Sequence, residues 1–214
     1  LFELNGFPSW FDSLVRIHPK AFDLTLGNEI SLELNSKISD QNNSIILHRI
    51  SNVSQTVASL LVPRLSQWLE NQDDIFTEEV IPSGLAYRLS HVLDVILKSG
   101  NQNAIENLLV VAKLRLADVN HFELDLIWLK TLVRLDVSIG IEYLENRISD
   151  IKPEQNSKAV IYFCSLFRNR HDAILLLESN FSPPILLKLL RLAYHHIRPE
   201  DDQVHEGSYT PNAR

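Results

Sequence analysis

Titratable side chains gather near one end of this chain. Between His195 and Glu206 stand three histidines (His195, His196, His205) and four carboxylates (Glu200, Asp201, Asp202, Glu206). Imidazole nitrogens and carboxylate oxygens are donors that zinc and other divalent ions accept, which makes His195, Asp201, His205 and Glu206 the candidate metal ligands. Their spacing matches no established motif, since His205-Glu206 lacks the second histidine of the helical zinc-protease pattern. Two other readings compete. In one, Pro199 ends a helix, Gly207 and Pro211 make turns, and the acidic run is a solvated linker. In the other, Arg198 pairs with Asp201 or Asp202 and, with Tyr209, forms a structural clasp that pins the tail to the preceding helices.

The remaining chemistry-bearing residues are scattered. His18, His48, His91, His121 and His171 have no partner nearby in sequence, so they are expected as surface or capping residues. Trp10, Trp68 and Trp128 lie in apolar stripes and are expected as core anchors rather than stacking platforms for bases. Cys164 sits in the apolar run Ile161 to Phe167 and is expected as a small buried hydrophobe. It is the sole cysteine, so no internal disulfide can form, which points to a reducing compartment. The sequence holds no glycine-rich phosphate loop, no G-x-S-x-G elbow and no paired carboxylates in a catalytic frame. No catalytic residue and no cofactor is therefore assigned, and the chain is not expected to be an enzyme.

Charge narrows the partners. The net charge is -7 and no basic stripe interrupts it, which argues against nucleic acid. Arg64, Arg88, Lys98, Lys113 and Arg115 stand singly on helical faces and read as solubilising charges. No apolar stretch is long enough to cross a bilayer and no basic-then-apolar leader opens the chain, so a cytoplasmic protein without membrane contact is expected. The sequence begins at Leu1 and stops at Arg214 within a polar segment, so a longer parent protein is expected; it contains no methionine.

The elements that must position these residues read as helices. Six glycines in 214 residues is few for a protein of sheets and tight hairpins. A first short helix runs from Pro8 to Ile17 and ends at Pro19. From Lys20 to Ser36 the apolar positions Phe22, Leu24, Leu26, Ile30, Leu32 and Leu34 alternate as in a strand, but glutamate and leucine favour helix. A polar break at Ser39 to Ser44 precedes an amphipathic helix over Ser54 to Leu69 that carries Pro63. After Pro82 the rhythm becomes regular. Helices are expected at Leu85 to Leu97, Ala104 to Leu116, Phe122 to Leu135, Ile139 to Ile148, Ser157 to Phe167, Ala173 to Leu177 and Ile185 to Ile197.

Two helices per roughly 30 to 40 residues is the period of helix-pair repeats. The expected fold is all-α, an α-α superhelix of stacked antiparallel pairs like HEAT, armadillo or TPR solenoids, with an irregular helical bundle as the alternative. The helix around Ile105 to Leu114, apolar over most of its circumference, is expected in an inner layer. Three regions follow: an irregular helical part over residues 1–80, regular pairs over 81–198, and a polar tail over 199–214.

The helix-pair rhythm from Pro82 to Ile197, followed by His196-Ile197-Arg198-Pro199-Glu200-Asp201-Asp202-x-x-His205-Glu206-Gly207-x-Tyr209-x-Pro211, resembles the helical-repeat region of large bacterial NTPases of the STAND or NACHT type, proteins often linked to phage defence. The resemblance implies an upstream ATPase module, an effector domain, and repeats that sense a target or hold the assembly closed. The motif-like part is the tail alone, under a tenth of the chain, and the nucleotide-binding loop of that family is not in this sequence. The leading expectation is a non-catalytic scaffold or sensor segment that contacts a protein partner or neighbouring domains. A metal-dependent enzyme or regulatory metal site on the tail is the alternative, and nucleic-acid binding through a concave groove is a third reading.

Overall fold

A computed structural model describes residues 7–8, 10–36, 45–50, 53–71, 83–118, 121–149, 151, 156–167 and 181–196. Among these residues every regular element is helical. The chain divides into two compact units, Leu1–Asp136 and Val137–Arg214.

The first unit opens with α1 (Phe11–Ile17) and α2 (Pro19–Phe22). Proline cannot continue a helix but suits its first turn, so Pro19 both closes the first helix and starts the second. A π-helical turn, Asp23–Gly27, then leads directly into α3 (Asn28–Asn35). This turn explains the strand-like alternation of the segment. Phe22, Ile30 and Leu34 are buried and Leu26 is half-buried, a spacing of four. A straight α-helix at 3.6 residues per turn would rotate such a row off the core; one wider turn brings it back. Leu24 and Leu32, which completed the alternation, are exposed.

The short helix α4 (Ile45–Ile50) buries Leu47 and Ile50. Helix α5 (Gln55–Glu70) starts at Ser54, whose hydroxyl accepts the amide of Val57, and it carries Pro63 inside its run. Helices α6 (Ser83–Ser99), α7 (Gln102–Asp118) and α8 (Phe122–Leu135) follow closely. Helix α5 packs on α6 and α7 on α8, while α5 also touches α7 and α6 touches α8. Two helix pairs are thus stacked, like helix against like.

The core of this unit runs along α6 and α8. Leu85, Leu89, Val92, Leu93 and Ile96 of α6 and Leu124, Trp128, Leu129 and Leu132 of α8 are buried, and α6 packs on both α5 and α8. Helix α7 corrects the expectation of an inner position for Ile105 to Leu114: it buries one stripe, Leu108, Ala112 and Leu116, and leaves Val110 and Leu114 exposed. Its apolar residues lie all round the helix, but only those at four-residue spacing are fully buried, and Ile105, Leu109 and Val111 are half-buried. Trp68 and Trp128 are core anchors as expected. Trp10 is 53% exposed, because it precedes α1 and stands outside the stripe formed by Phe11 and Val15.

The second unit contains α9 (Val137–Ser149), α10 (Asn156–Phe167) and α11 (Pro183–His196). Helix α11 packs on both α9 and α10. Ile141, Leu144 and Ile148 of α9, Ala159, Tyr162, Phe163 and Leu166 of α10, and Leu189 and Leu192 of α11 are buried. Cys164 is half-buried on α10. The helix expected at Ala173 to Leu177 lies outside the described residues.

Candidate functional site

Two places bring polar or apolar groups together beyond what packing requires. The first is a polar junction where α3, α4 and α6 meet.

The backbone groups at helix ends have no partner within the helix, and the junction is built from side chains that supply them. Glu33 of α3 accepts the amides of Ile46 and Leu47 at 2.9 Å each, one per carboxylate oxygen, and so caps the start of α4. A carboxylate is the right charge for the positive end of a helix. Arg88 of α6 does the converse for α3. Its guanidinium donates to the carbonyls of Leu34 at 2.7 Å and Ser36 at 3.1 Å, and to the Ser36 hydroxyl at 3.3 Å, where α3 ends. Arg88 is 2% exposed. Burial pulls its guanidinium below the ordinary arginine value, with the charge of Glu33 acting against that shift.

Arg88 was expected as a solubilising charge, and so were Arg64 and Arg115; the structure corrects all three. Arg64 of α5 grips the π-helical turn, bonding both carboxylate oxygens of Asp23 at 2.6 and 2.9 Å, the Asp23 carbonyl at 3.2 Å and the Ser31 hydroxyl at 3.3 Å. That hydrogen bonding lowers the Asp23 pKa from its ordinary value and raises that of Arg64, with burial working against both shifts. Arg115 of α7 donates to the carbonyl of Leu69 near the end of α5. A planar fork with several donors can serve carbonyls on a neighbouring helix while its stem lies along apolar surface. Single-sequence patterning cannot distinguish this from a solvated arginine. Lys98 and Lys113 are exposed, as expected.

The junction also holds a histidine pair. His48 Nδ1 lies 3.2 Å from His91 Nε2, and the Tyr87 hydroxyl lies 3.2 Å from the same His48 nitrogen. His91 Nδ1 lies 3.1 Å from the carbonyl of Tyr87, one helical turn earlier on α6. The Tyr87 and His91 rings stand 4.1 Å apart between centroids. These two histidines were expected to be dispersed, and the fold brings them together across 43 residues of sequence. The relation of Tyr87 to His91 was legible as a four-residue helical spacing; the arrival of His48 was not. Burial lowers the His91 pKa, and the charges of His48 and Lys98 push the same way against the Tyr87 carbonyl and Asp94. His18 is exposed between α1 and α2, His121 stands at the start of α8, and His171 lies outside the described residues.

The second place is the outer face of α11. At 100° per residue, Leu186, Leu190, Tyr194 and Leu187 fall on one arc about 100° wide, and all four are exposed, Leu190 at 67% and Tyr194 at 81%. The opposite side carries the buried Leu189 and Leu192. Arg191 and His195 are exposed at one edge of the arc, and Lys188 turns toward α9 to pair with Glu145 at 2.5 Å. The helix has no acidic residue. In a chain of net charge -7 it is therefore a local basic amphipathic element.

Of the expected metal ligands, His195 is placed on this exposed edge, its ring edge-on to Tyr194. Asp201, His205 and Glu206, together with the clasp residues Arg198, Asp202 and Tyr209, lie outside the described residues. Among the described residues no group of three or more His, Cys, Asp or Glu is disposed to hold a metal ion, and no helix is long and apolar enough to cross a membrane. Comparison with protein-family models, with curated proteins and with solved structures gives no match to this chain.

Proposed function

We propose that this chain is a non-catalytic helical-repeat segment of a larger cytoplasmic protein, and that it works by presenting the outer face of α11 to a protein partner. The observation that carries the reading is the exposed arc of Leu186, Leu187, Leu190 and Tyr194 edged by Arg191 and His195. Contiguous exposed apolar residues of this kind mark interaction sites, and an amphipathic helix face engages a groove through anchors at this spacing. The one-sided basic edge selects the partner's chemistry: an apolar groove with an acidic rim. The stacking of α5/α6 on α7/α8 supports reading the helix pairs as repeats of an α-α superhelix. A STAND or NACHT-type parent, with the repeats sensing a target or holding the assembly closed, is the family reading proposed from the sequence.

The test is photo-crosslinking from a benzophenone side chain at position 190 in the full-length protein within its own cell. The reading expects a discrete protein adduct that forms again from purified components. Adducts to lipid, to a second copy of the chain, or to nothing beyond background would overturn it, as would robust hydrolytic turnover by the purified chain.

A further inference from the structure

We propose that His48 and His91 form an acid-operated latch, which holds α4 against α6 while the pair carries at most one extra proton and opens when both rings are charged. The inference lies in the first unit and does not depend on the reading of α11.

The hydrogen-bond directions follow from the partners. A carbonyl only accepts, so His91 Nδ1, facing the Tyr87 carbonyl, carries a hydrogen. In the neutral ring His91 Nε2 is then a lone pair, and the proton between the rings belongs to His48 Nδ1. The Tyr87 hydroxyl lies beside that same nitrogen and presents its oxygen to it. With one added proton the contact between His48 Nδ1 and His91 Nε2 still has one donor and one acceptor, and it is strengthened, because a charged donor makes the better bond. A second proton can enter only at His91 Nε2. It replaces the acceptor with a donor, and two cationic rings then face each other across the α4–α6 contact.

The surroundings bear on which ring yields last. On α6, Asp94 favours a charge on His91 and Lys98 opposes it. Asp94 is engaged by Arg134 of α8 at 2.5 Å. On α3, Glu33 is committed to the amides of α4, and Arg88 of α6 is turned to the end of α3. Arg49 follows His48 on α4. Arg64 of α5 is held by Asp23, and Arg115 of α7 by the Leu69 carbonyl. With Asp94 shared, the balance opposes a second positive charge.

Helix α4 is a suitable moving part. It spans six residues, too few to persist without tertiary support, and its attachments include Glu33 at its start, Leu47 and Ile50 in the core, and the His48 contact with α6. Opening the latch frees the side of α4 that faces α6.

The test is amide exchange of residues 45–50 in the full chain, corrected for its intrinsic pH dependence, at about pH 7.5 and about pH 5, the window in which histidines titrate. The expected result is a roughly fivefold loss of protection at the lower pH, equivalent to one ordinary hydrogen bond, with no such loss in His48→Gln, whose amide still donates to His91 but cannot charge. Equal loss in both proteins, or none in the wild type, would overturn the latch. A second readout guards against an indirect effect of that variant: the His91 ring, followed by NMR, should titrate at higher pH in His48→Gln because the facing charge is gone. An unchanged midpoint would also overturn the proposal.

Discussion

Replacing Arg88 tests whether a buried guanidinium, rather than apolar contact alone, holds α3 to α6. Arg88 makes two bonds to carbonyls and one to a hydroxyl at the end of α3 and is 2% exposed. Hydrogen bonds to charged groups contribute about 1.5–3 kcal/mol each, less when several share one donor group. Arg88→Met keeps most of the apolar stem but leaves the carbonyls of Leu34 and Ser36 without this donor, so a loss of about 3 kcal/mol is expected, in line with breaking a buried charged contact. Arg88→Ala removes the stem as well and should cost about 4–5 kcal/mol. Arg88→Lys, with a single donor head, should recover about 1.5 kcal/mol relative to Met. The assay is urea unfolding followed by tryptophan fluorescence, which reports on the first unit alone because Trp10, Trp68 and Trp128 all precede Val137. The midpoint should fall with the slope unchanged. If Arg88→Met loses less than about 1 kcal/mol, the capping argument is wrong, because a donor removed from buried carbonyls cannot be that cheap.

Other expectations follow from the same geometry. Asp23 has a pKa below its ordinary value, so its contribution is present at neutral pH and is lost as pH falls below about 3.8 toward the folded-state value. With its carboxylate 42% exposed, the contribution should be about 0.5–1 kcal/mol, and acid titration of Asp23→Asn should lack it. A Cβ at Gly27 would stand 2.6 Å from Arg64 Nε and 2.7 Å from the Asp23 carboxylate. Gly27→Ala should therefore displace the pair and erase the same acid-dependent component, despite alanine's better helix propensity; retention of that component would show that the pair relaxes around the methyl. On α11, Leu192→Ala should cost about 2–3 kcal/mol, whereas Leu190→Ala should stay within about 0.5 kcal/mol, with unfolding of the second unit followed by amide exchange of its helices.

The helices were legible because apolar spacing survives in a single sequence. The helix expected at Phe122 to Leu135 has the bounds observed, and those expected at Ser54 to Leu69, Leu85 to Leu97, Ala104 to Leu116, Ile139 to Ile148, Ser157 to Phe167 and Ile185 to Ile197 differ by at most two residues at their ends, where caps rather than the stripe decide; the first helix starts three residues later than expected, at Phe11. The segment from Lys20 to Ser36 is helical as expected, and its pattern resembled neither period because a π-helical turn absorbs a four-residue spacing that neither strand nor α-helix period describes. Residues 45–50 offered too short a run to name a helix, since their helix is held by Glu33 and by the core. The polar junction was hidden for a more general reason. A charged or histidine side chain has the same letter whether it meets water or a carbonyl 54 residues away, as Arg88 does with Leu34. The exposed arc of α11 was hidden likewise, because leucines on opposite sides of one helix look alike until one side is packed.

The central claim is that the outer face of α11 binds a protein. Its most direct test is the affinity of the protein captured at position 190 for the purified chain and for the double variant Leu187→Glu, Leu190→Glu, measured by calorimetry. Two interface leucines at about 1 kcal/mol each predict binding weakened about thirtyfold, with amide exchange of the second unit's helices unchanged because both side chains are exposed. Equal affinity of the two proteins would contradict the claim.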